Sequence, residues 1–322
     1  MTTRRTRALQ ALGYGGVLVL LVMFVRQVPW HAVLLAARTA DPWLLFAAAS
    51  LNLVSLAAKG VRWWVFLRPV GVRSLSLVMR ATFTGASLNN VLVAQGGEGA
   101  RVLLVARGAG VSSARVLAAL AVERGFDALS YLALLVSAAW LLPLPPALIR
   151  WRLTASVALG LGALAIAWML MRARDAPRNS ADALRAGALT RSPVAGYAGR
   201  FLAALGNTVS TGSFAAGAAL SIVAWLLQVA TYHLVARATN SPLPVAGSIA
   251  ALLAVGVSFL VRPTPGNVGV FQMVYALTVA SFGIARPAAV AIAVLIQAVQ
   301  VLPTLLGGLL ASATSTTGRL SQ

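Results

Sequence analysis

The chain has 322 residues, of which 59% are hydrophobic and 10% charged, and its mean hydropathy is +0.85. Soluble domains carry charge on roughly a quarter of their residues, so composition excludes an ordinary water-soluble globule and makes lipid the solvent for the apolar surface. The net charge of +20, from 26 basic and 6 acidic residues, lies between apolar blocks and not on one amphipathic face, which points away from nucleic acid and towards topology signals and anionic headgroups.

In chain order, Arg4, Arg5 and Arg7 precede an apolar run at 9–25. Arg26, Pro29 and Trp30 follow it in place of a small-residue cleavage site, so it reads as an uncleaved first span. A short amphipathic piece at 30–39 comes next. Asp41 and Pro42 then have the chemistry of an N-cap and first helical residue for a second span at 43–58. Lys59, Arg62, Arg68 and Arg73 are interleaved with Trp63, Trp64 and Phe66, a mixture expected at a membrane interface. The run at 75–94 is apolar but broken by Arg80, Thr82, Thr84, Ser87, Asn89 and Asn90, and it enters Gln95-Gly96-Gly97-Glu98-Gly99. Polar or irregular backbone at membrane depth needs protein or a watery cavity around it. The expectation is a re-entrant hairpin that returns near 101–107.

A long helix is predicted at 113–142, containing Glu123, Arg124 and Asp127 and ended by Pro143, Pro145 and Pro146. Further spans are expected at 153–171, 214–235, 245–261, 268–282 and 287–311, with a polar connection and surface helix at 172–200. The break at Pro263-Thr264-Pro265-Gly266-Asn267 interrupts the last group. The predicted fold is all-α: one transmembrane domain over 1–322, a polytopic bundle of about eight helices of roughly 20 residues each. With the hairpin not crossing, the basic segments 4–7, 59–73, 101–115 and 172–200 share one side. The positive-inside rule makes that side cytoplasmic, with both termini there, in the cell membrane.

The acids differ in placement. Asp175 and Asp182 sit in the polar connection and read as solvated. Glu123 and Asp127, at i and i+4, share a helix face and repel each other, and Arg124 stands i, i+3 to Asp127. Charge at that depth must be paired or watered. Two readings stand: a structural ion-pair cluster, or a polar cavity for a lipid headgroup or proton. The glycines around Glu98, ending in Arg101, suit either a simple turn or backbone N–H groups open to an anion. Two Gly/Pro interruptions in the two halves of the chain also match the pattern of a transporter site between repeats.

Enzyme signals are thin. The only lysine, Lys59, follows Leu56-Ala57-Ala58 without the glycines of a phosphate loop, no HExxH occurs, and nothing supplies a nucleophile. His31 and His233 are isolated, cysteine is absent, and no metal or cofactor is expected.

The segments LNNVLVAQGGEGARVLL, AALAVERGFDALSYLALL and VRPTPGNVGVFQ, with the earlier KGVRWWVFL, resemble in order and spacing the lysylphosphatidylglycerol synthase transmembrane family, also called the flippase-like family. The resemblance covers about residues 10 to 310. It implies about eight spans and movement of a lipid across the membrane. It also implies a role for Asn90, Gly97, Glu98, Arg101, Glu123, Arg124, Asp127, Pro265, Gly266 and Gly269, which match the family pattern. Departures are Val93 and Ala94 where proline is usual, and Gln272 where an acid is common. No aminoacyl transferase domain is visible in the sequence.

The function expected is translocation, or assisted translocation, of a phospholipid or lipid-linked intermediate, with those residues around the headgroup and no catalytic residue. The alternative is an accessory or scaffold protein of a glycolipid or cell-envelope lipid pathway with a structural polar cluster. The expected partners are anionic or lipid-linked membrane lipids, together with enzymes of the same membrane pathway.

Overall fold

The computed structural model describes residues 26, 28–91, 96–142, 150, 152–175, 211–259 and 264–317. The predicted first span and most of the 172–200 connection lie outside them. The described residues form ten α-helices and no strand: α1 Trp30–Thr39, α2 Pro42–Leu67, α3 Leu75–Val91, α4 Gly96–Ala109, α5 Ser113–Leu141, α6 Arg152–Asp175, α7 Thr211–Ala238, α8 Val245–Ser258, α9 Val270–Ala280 and α10 Arg286–Thr317. The protein is an all-helical membrane bundle. Among the described residues, the segments Pro42–Val70, Ser213–Ala238 and Arg286–Ala311 are long and apolar enough to cross a bilayer, and α8, α9 and the first part of α6 are shorter apolar helices. Large side chains cover the outside: Trp43, Leu141 and Leu310 are 78%, 80% and 70% exposed. In water such exposure would be costly, but in lipid it is the ordinary state.

Local signals account for several boundaries. Asp41 caps α2, its Oδ1 accepting from the N–H groups of Trp43 (2.8 Å) and Leu44 (3.3 Å), with Pro42 as first helical residue. Helix α5 stops at Leu141, and Leu142 is extended (φ −107°, ψ 146°), as the residue before a proline prefers to be.

The predicted end of the second span is corrected. Helix α2 does not stop at residue 58 but runs to Leu67, and Arg62, Trp63 and Phe66 are fully buried inside the bundle. Of the mixture of Arg and Trp that read as interfacial, Arg62 and Trp63 are interior, because Glu123 and Asp127 of α5 neutralise Arg62, while Arg68 and Arg73 are exposed.

Helices α3 and α4 pack antiparallel. Leu77 at the start of α3 lies against Gly108 at the end of α4, and Gly85 lies against Gly97 and Arg101. The two helices have 17 and 14 residues, so each is shorter than the roughly 20 residues of a full crossing. Their lengths and antiparallel contact suit a hairpin that enters and returns. Small residues permit the close approach: a Cβ on Gly97 would stand 2.0 Å from the Gly85 carbonyl oxygen, and one on Gly308 of α10 would stand 2.0 Å from the Ser87 hydroxyl of α3.

Two large apolar cores result among the described residues, beside a small cluster of Val28, Val33 and Ala291. Trp63, Phe66, Val78, Val105, Val122 and Phe126 join the end of α2 to α3, α4 and α5. Tyr232, Val255, Phe271, Tyr275, Ile292 and Ile296 join α7 to α10 with Ala48 of α2. The extensive α2–α7 pair ties them together.

The hairpin geometry gives a paired prediction. Gly97→Ala forces the α3 backbone away and costs about 1–3 kcal/mol, as overpacking does. Gly99→Ala, with open space around it, leaves stability unchanged or slightly raised. Thermal unfolding of the purified protein in detergent, read by tryptophan fluorescence, compares the two; equal melting temperatures would refute the packing.

Candidate functional site

Three helices bring six charged side chains into one cluster. From α2 comes Arg62, from α4 Glu98 and Arg101, and from α5 Glu123, Arg124 and Asp127. Arg62 pairs with Glu123 (3.4 Å) and Asp127 (2.7 Å). Arg101 pairs with Glu123 (2.9 Å) and Glu98 (3.4 Å). Arg124 pairs with Asp127 (3.3 Å) and with Glu98. Each arginine holds two carboxylates and each carboxylate two arginines, so the six close into a ring. Three positive and three negative charges make it neutral. An isolated charge at this depth would cost several kcal/mol, so the alternation is what permits burial of Arg62 and Glu123, whose side chains are 0% and 3% exposed.

Other contacts orient the ring. Arg62 donates a 2.7 Å hydrogen bond to the Ser221 hydroxyl of α7. The Arg101 guanidinium lies 3.9 Å from the centroid of the buried Trp63 ring, a cation–π contact strengthened by desolvation. Arg124 differs from the other two arginines, being 49% exposed.

Beside the ring, one helical turn along α2, lies a cavity of about 290 Å³. Lys59 and five carboxamides, Asn52, Asn89, Asn90, Gln228 and Gln300, supply most of its polar lining. Gln300 Nε2 donates to Gln228 Oε1 (2.9 Å), Gln228 Nε2 to Asn52 Oδ1 (3.1 Å), and Asn52 Nδ2 to the Gln300 carbonyl (3.3 Å). This relay fixes α2, α7 and α10 around the chamber. Asn89 connects cavity and ring, accepting from the Gly97 N–H (2.9 Å) and donating to Glu98 (3.3 Å). That Gly97 N–H is therefore not open to an anion.

The structure thus brings together Glu98, Arg101, Glu123, Arg124 and Asp127, with Gly97 beside them. Asn90 stands on the cavity side. Gly266, in the Pro265–Gly269 break, lies outside the ring but against Asn90: a Cβ on Gly266 would be 3.3 Å from the Asn90 carbonyl oxygen. The second predicted interruption therefore touches the end of α3, ahead of the first. Gln272, noted as a departure, has a structural task, since its Oε1 accepts from the Gly269 N–H (2.7 Å). It also donates to Gln297, which donates to the Gly266 carbonyl (2.6 Å). Gly269 has φ 91°, a conformation that favours glycine.

Sequence reading missed Lys59, Arg62, Asn52, Ser221, Gln228 and Gln300. A usable signal existed: Asn52, Ser55, Lys59 and Arg62 fall on one helical face at successive turns, as do Gln297, Gln300 and Thr304. Polar stripes in apolar helices mark faces turned away from lipid.

The sequence profile described as "Lysylphosphatidylglycerol synthase TM region" matches residues 10–308. The chain belongs to this family. A protein of Haloferax volcanii named "Glycosyltransferase AglD" is 29% identical over 305 residues, covering 84% of this chain and 48% of that protein. The chain thus spans about half the length of this relative.

The ring generates a stability ranking. Glu123→Gln leaves two buried arginines short of charge and costs roughly 3–5 kcal/mol. Arg124→Ala, at the exposed edge, costs about 1 kcal/mol or less. Denaturation midpoints in detergent provide the comparison, and a larger loss in Arg124→Ala than in Glu123→Gln would overturn the ring as the stabilising unit.

Proposed function

We propose that the protein translocates, or assists translocation of, a phospholipid or lipid-linked intermediate across the cytoplasmic membrane. The observation that carries this reading is the polar chamber of about 290 Å³ about midway along α2, in a bundle whose outer surface is apolar. Such a chamber suits a headgroup while the acyl or prenyl tails stay in lipid. The ring stands between the chamber and the basic end of α2, where Arg68 and Arg73 follow. Arg124 is its half-exposed member, the first that a phosphate arriving from the basic side reaches. Exchange of Arg124 from Glu98 and Asp127 to the phosphate opens the ring without leaving a deeply buried charge unpaired. Asn90, Gly97, Pro265, Gly266 and Gly269 line the adjoining helix breaks. Glu98, Arg101, Glu123 and Asp127 restore the ring once the headgroup has passed.

The process is passive or gradient-driven, and the protein is a transporter without a catalytic step, since no phosphate-loop or nucleophile motif occurs in its sequence. The distribution of basic segments supports a cytoplasmic location for both termini.

A second reading has an observation of its own. Each of the three arginines is paired with two carboxylates inside the ring, which favours a structural cluster in an accessory protein of a lipid or glycolipid pathway. The name of the Haloferax relative fits such a pathway.

Proteoliposomes carrying a trace of acyl-labelled fluorescent phospholipid decide between them, through the fraction of label that an external quencher reaches. Wild-type protein is expected to raise that fraction over empty vesicles, and Arg124→Ala to change the rate about tenfold, the effect of roughly 1.4 kcal/mol on a barrier. Transport unchanged in both Arg124→Ala and Glu123→Gln, with altered melting temperatures, selects the structural reading of the ring. No exposure of any lipid by wild-type protein sinks the transport reading.

A further inference from the structure

We infer that the cavity takes a phosphodiester with a hydroxylated, uncharged headgroup, and that Lys59 is its anion anchor. The inference rests on the transport reading above and assigns its substrate class.

The first argument is electrostatic. Glu98, Glu123 and Asp127 are each committed to two arginines, so the ring contributes no net charge. Among the described residues lining the cavity, Lys59 is the only charged one and no carboxylate is present. The chamber therefore carries one positive charge, which one phosphodiester balances. A headgroup bearing an ammonium would meet the lysine with no free acid to hold it.

The second argument concerns unused hydrogen-bonding capacity. Lys59 has no hydrogen-bond or ion-pair partner among the described residues; its nearest aromatic is Trp225, whose ring centroid lies 5.8 Å from Nζ. Trp225 also lines the cavity, and its buried indole N–H has no partner. Two kinds of donor, an ammonium and an indole N–H, thus stand side by side without an acceptor. The buried indole N–H is costly in this state, and a phosphate oxyanion is an acceptor that satisfies it together with the half-buried ammonium.

The third argument is the lining. Carboxamides donate and accept in equal measure, which suits hydroxyl groups, themselves both donors and acceptors. Asn90 has no side-chain partner among the described residues, and the Asn52–Gln228–Gln300 relay presents further amide groups. The volume is close to the lower limit of about 300 Å³ for small-molecule pockets, room for a headgroup and not for two acyl chains. The buried arginines of the ring are thereby relieved of the phosphate, which Lys59 holds.

The test uses the full chain in phosphatidylcholine vesicles doped in turn with phosphatidylglycerol, lysylphosphatidylglycerol or phosphatidylethanolamine. External periodate reports the phosphatidylglycerol diol, and an external amine-reactive reagent reports the other two. Wild-type protein is expected to expose phosphatidylglycerol in preference to both aminated lipids. Lys59→Gln is expected to slow that exposure about tenfold or more, the loss of one charge-assisted hydrogen bond, with Lys59→Arg retaining most of the rate. Preference for an aminated lipid by wild-type protein overturns the inference without recourse to any variant. So does an unchanged rate in a folded Lys59→Gln. Uptake of soluble sn-glycerol 3-phosphate in place of the lipid would also overturn it. If no lipid is moved at all, the transport reading fails with it; if lipids move without the stated preference, only the substrate assignment fails.

Discussion

Three arginines and three carboxylates in alternation fix the relative positions of α2, α4 and α5. The buried members Arg62, Arg101 and Glu123 need both neighbours, because a membrane interior provides no water to stabilise a charge left over. Translation of α4 against α5 separates Arg101 from Glu123, and rotation of α2 removes Arg62 from Asp127. The Arg62–Ser221 bond extends the constraint to α7, and α7 with α2 carries the second apolar core. The ring orients the helices; dispersion and close packing around Trp63, Phe66 and Phe126 hold them.

The same requirement for satisfied polar groups governs the helix breaks. At Pro265–Gly269 the freed backbone is bonded by Gln272 and Gln297, and Asn267 donates to Ser258 (2.8 Å). At the start of α4, Asn89 takes up the Gly97 N–H. Carboxamides suit this work because they are polar on both sides and carry no charge. Where amides and Lys59 meet without filling the space, a cavity remains. Ring and cavity therefore divide the polar interior: one is closed and neutral, the other open and positive. On the proposed reading, this division lets a structural cluster at Glu123 and Asp127 stand beside a separate headgroup site.

Membership of the lysylphosphatidylglycerol synthase TM region family fits a membrane protein of lipid chemistry, and leaves the headgroup to be argued from the cavity. On the transport reading proposed above, an aminoacylated lipid is the less favourable cargo, since no free carboxylate is among the described cavity residues.

The sequence by itself determined the membrane bundle, the Asp41 cap, the end of α5 before Pro143, and the short α3–α4 hairpin, since composition, local capping and segment length decide these. It also identified five of the six ring members, because charges in apolar runs need no fold to be conspicuous. Only tertiary structure decided that Arg62 is interior, that Lys59 faces a cavity, and that Gly266 of the second break lies against Asn90 at the end of α3. The tryptophans beside Arg62 made a buried helix end resemble an interface. Whether an arginine lies at a headgroup or inside a protein depends on what the next helix supplies, and Glu123 and Asp127 are more than 60 residues away along the chain.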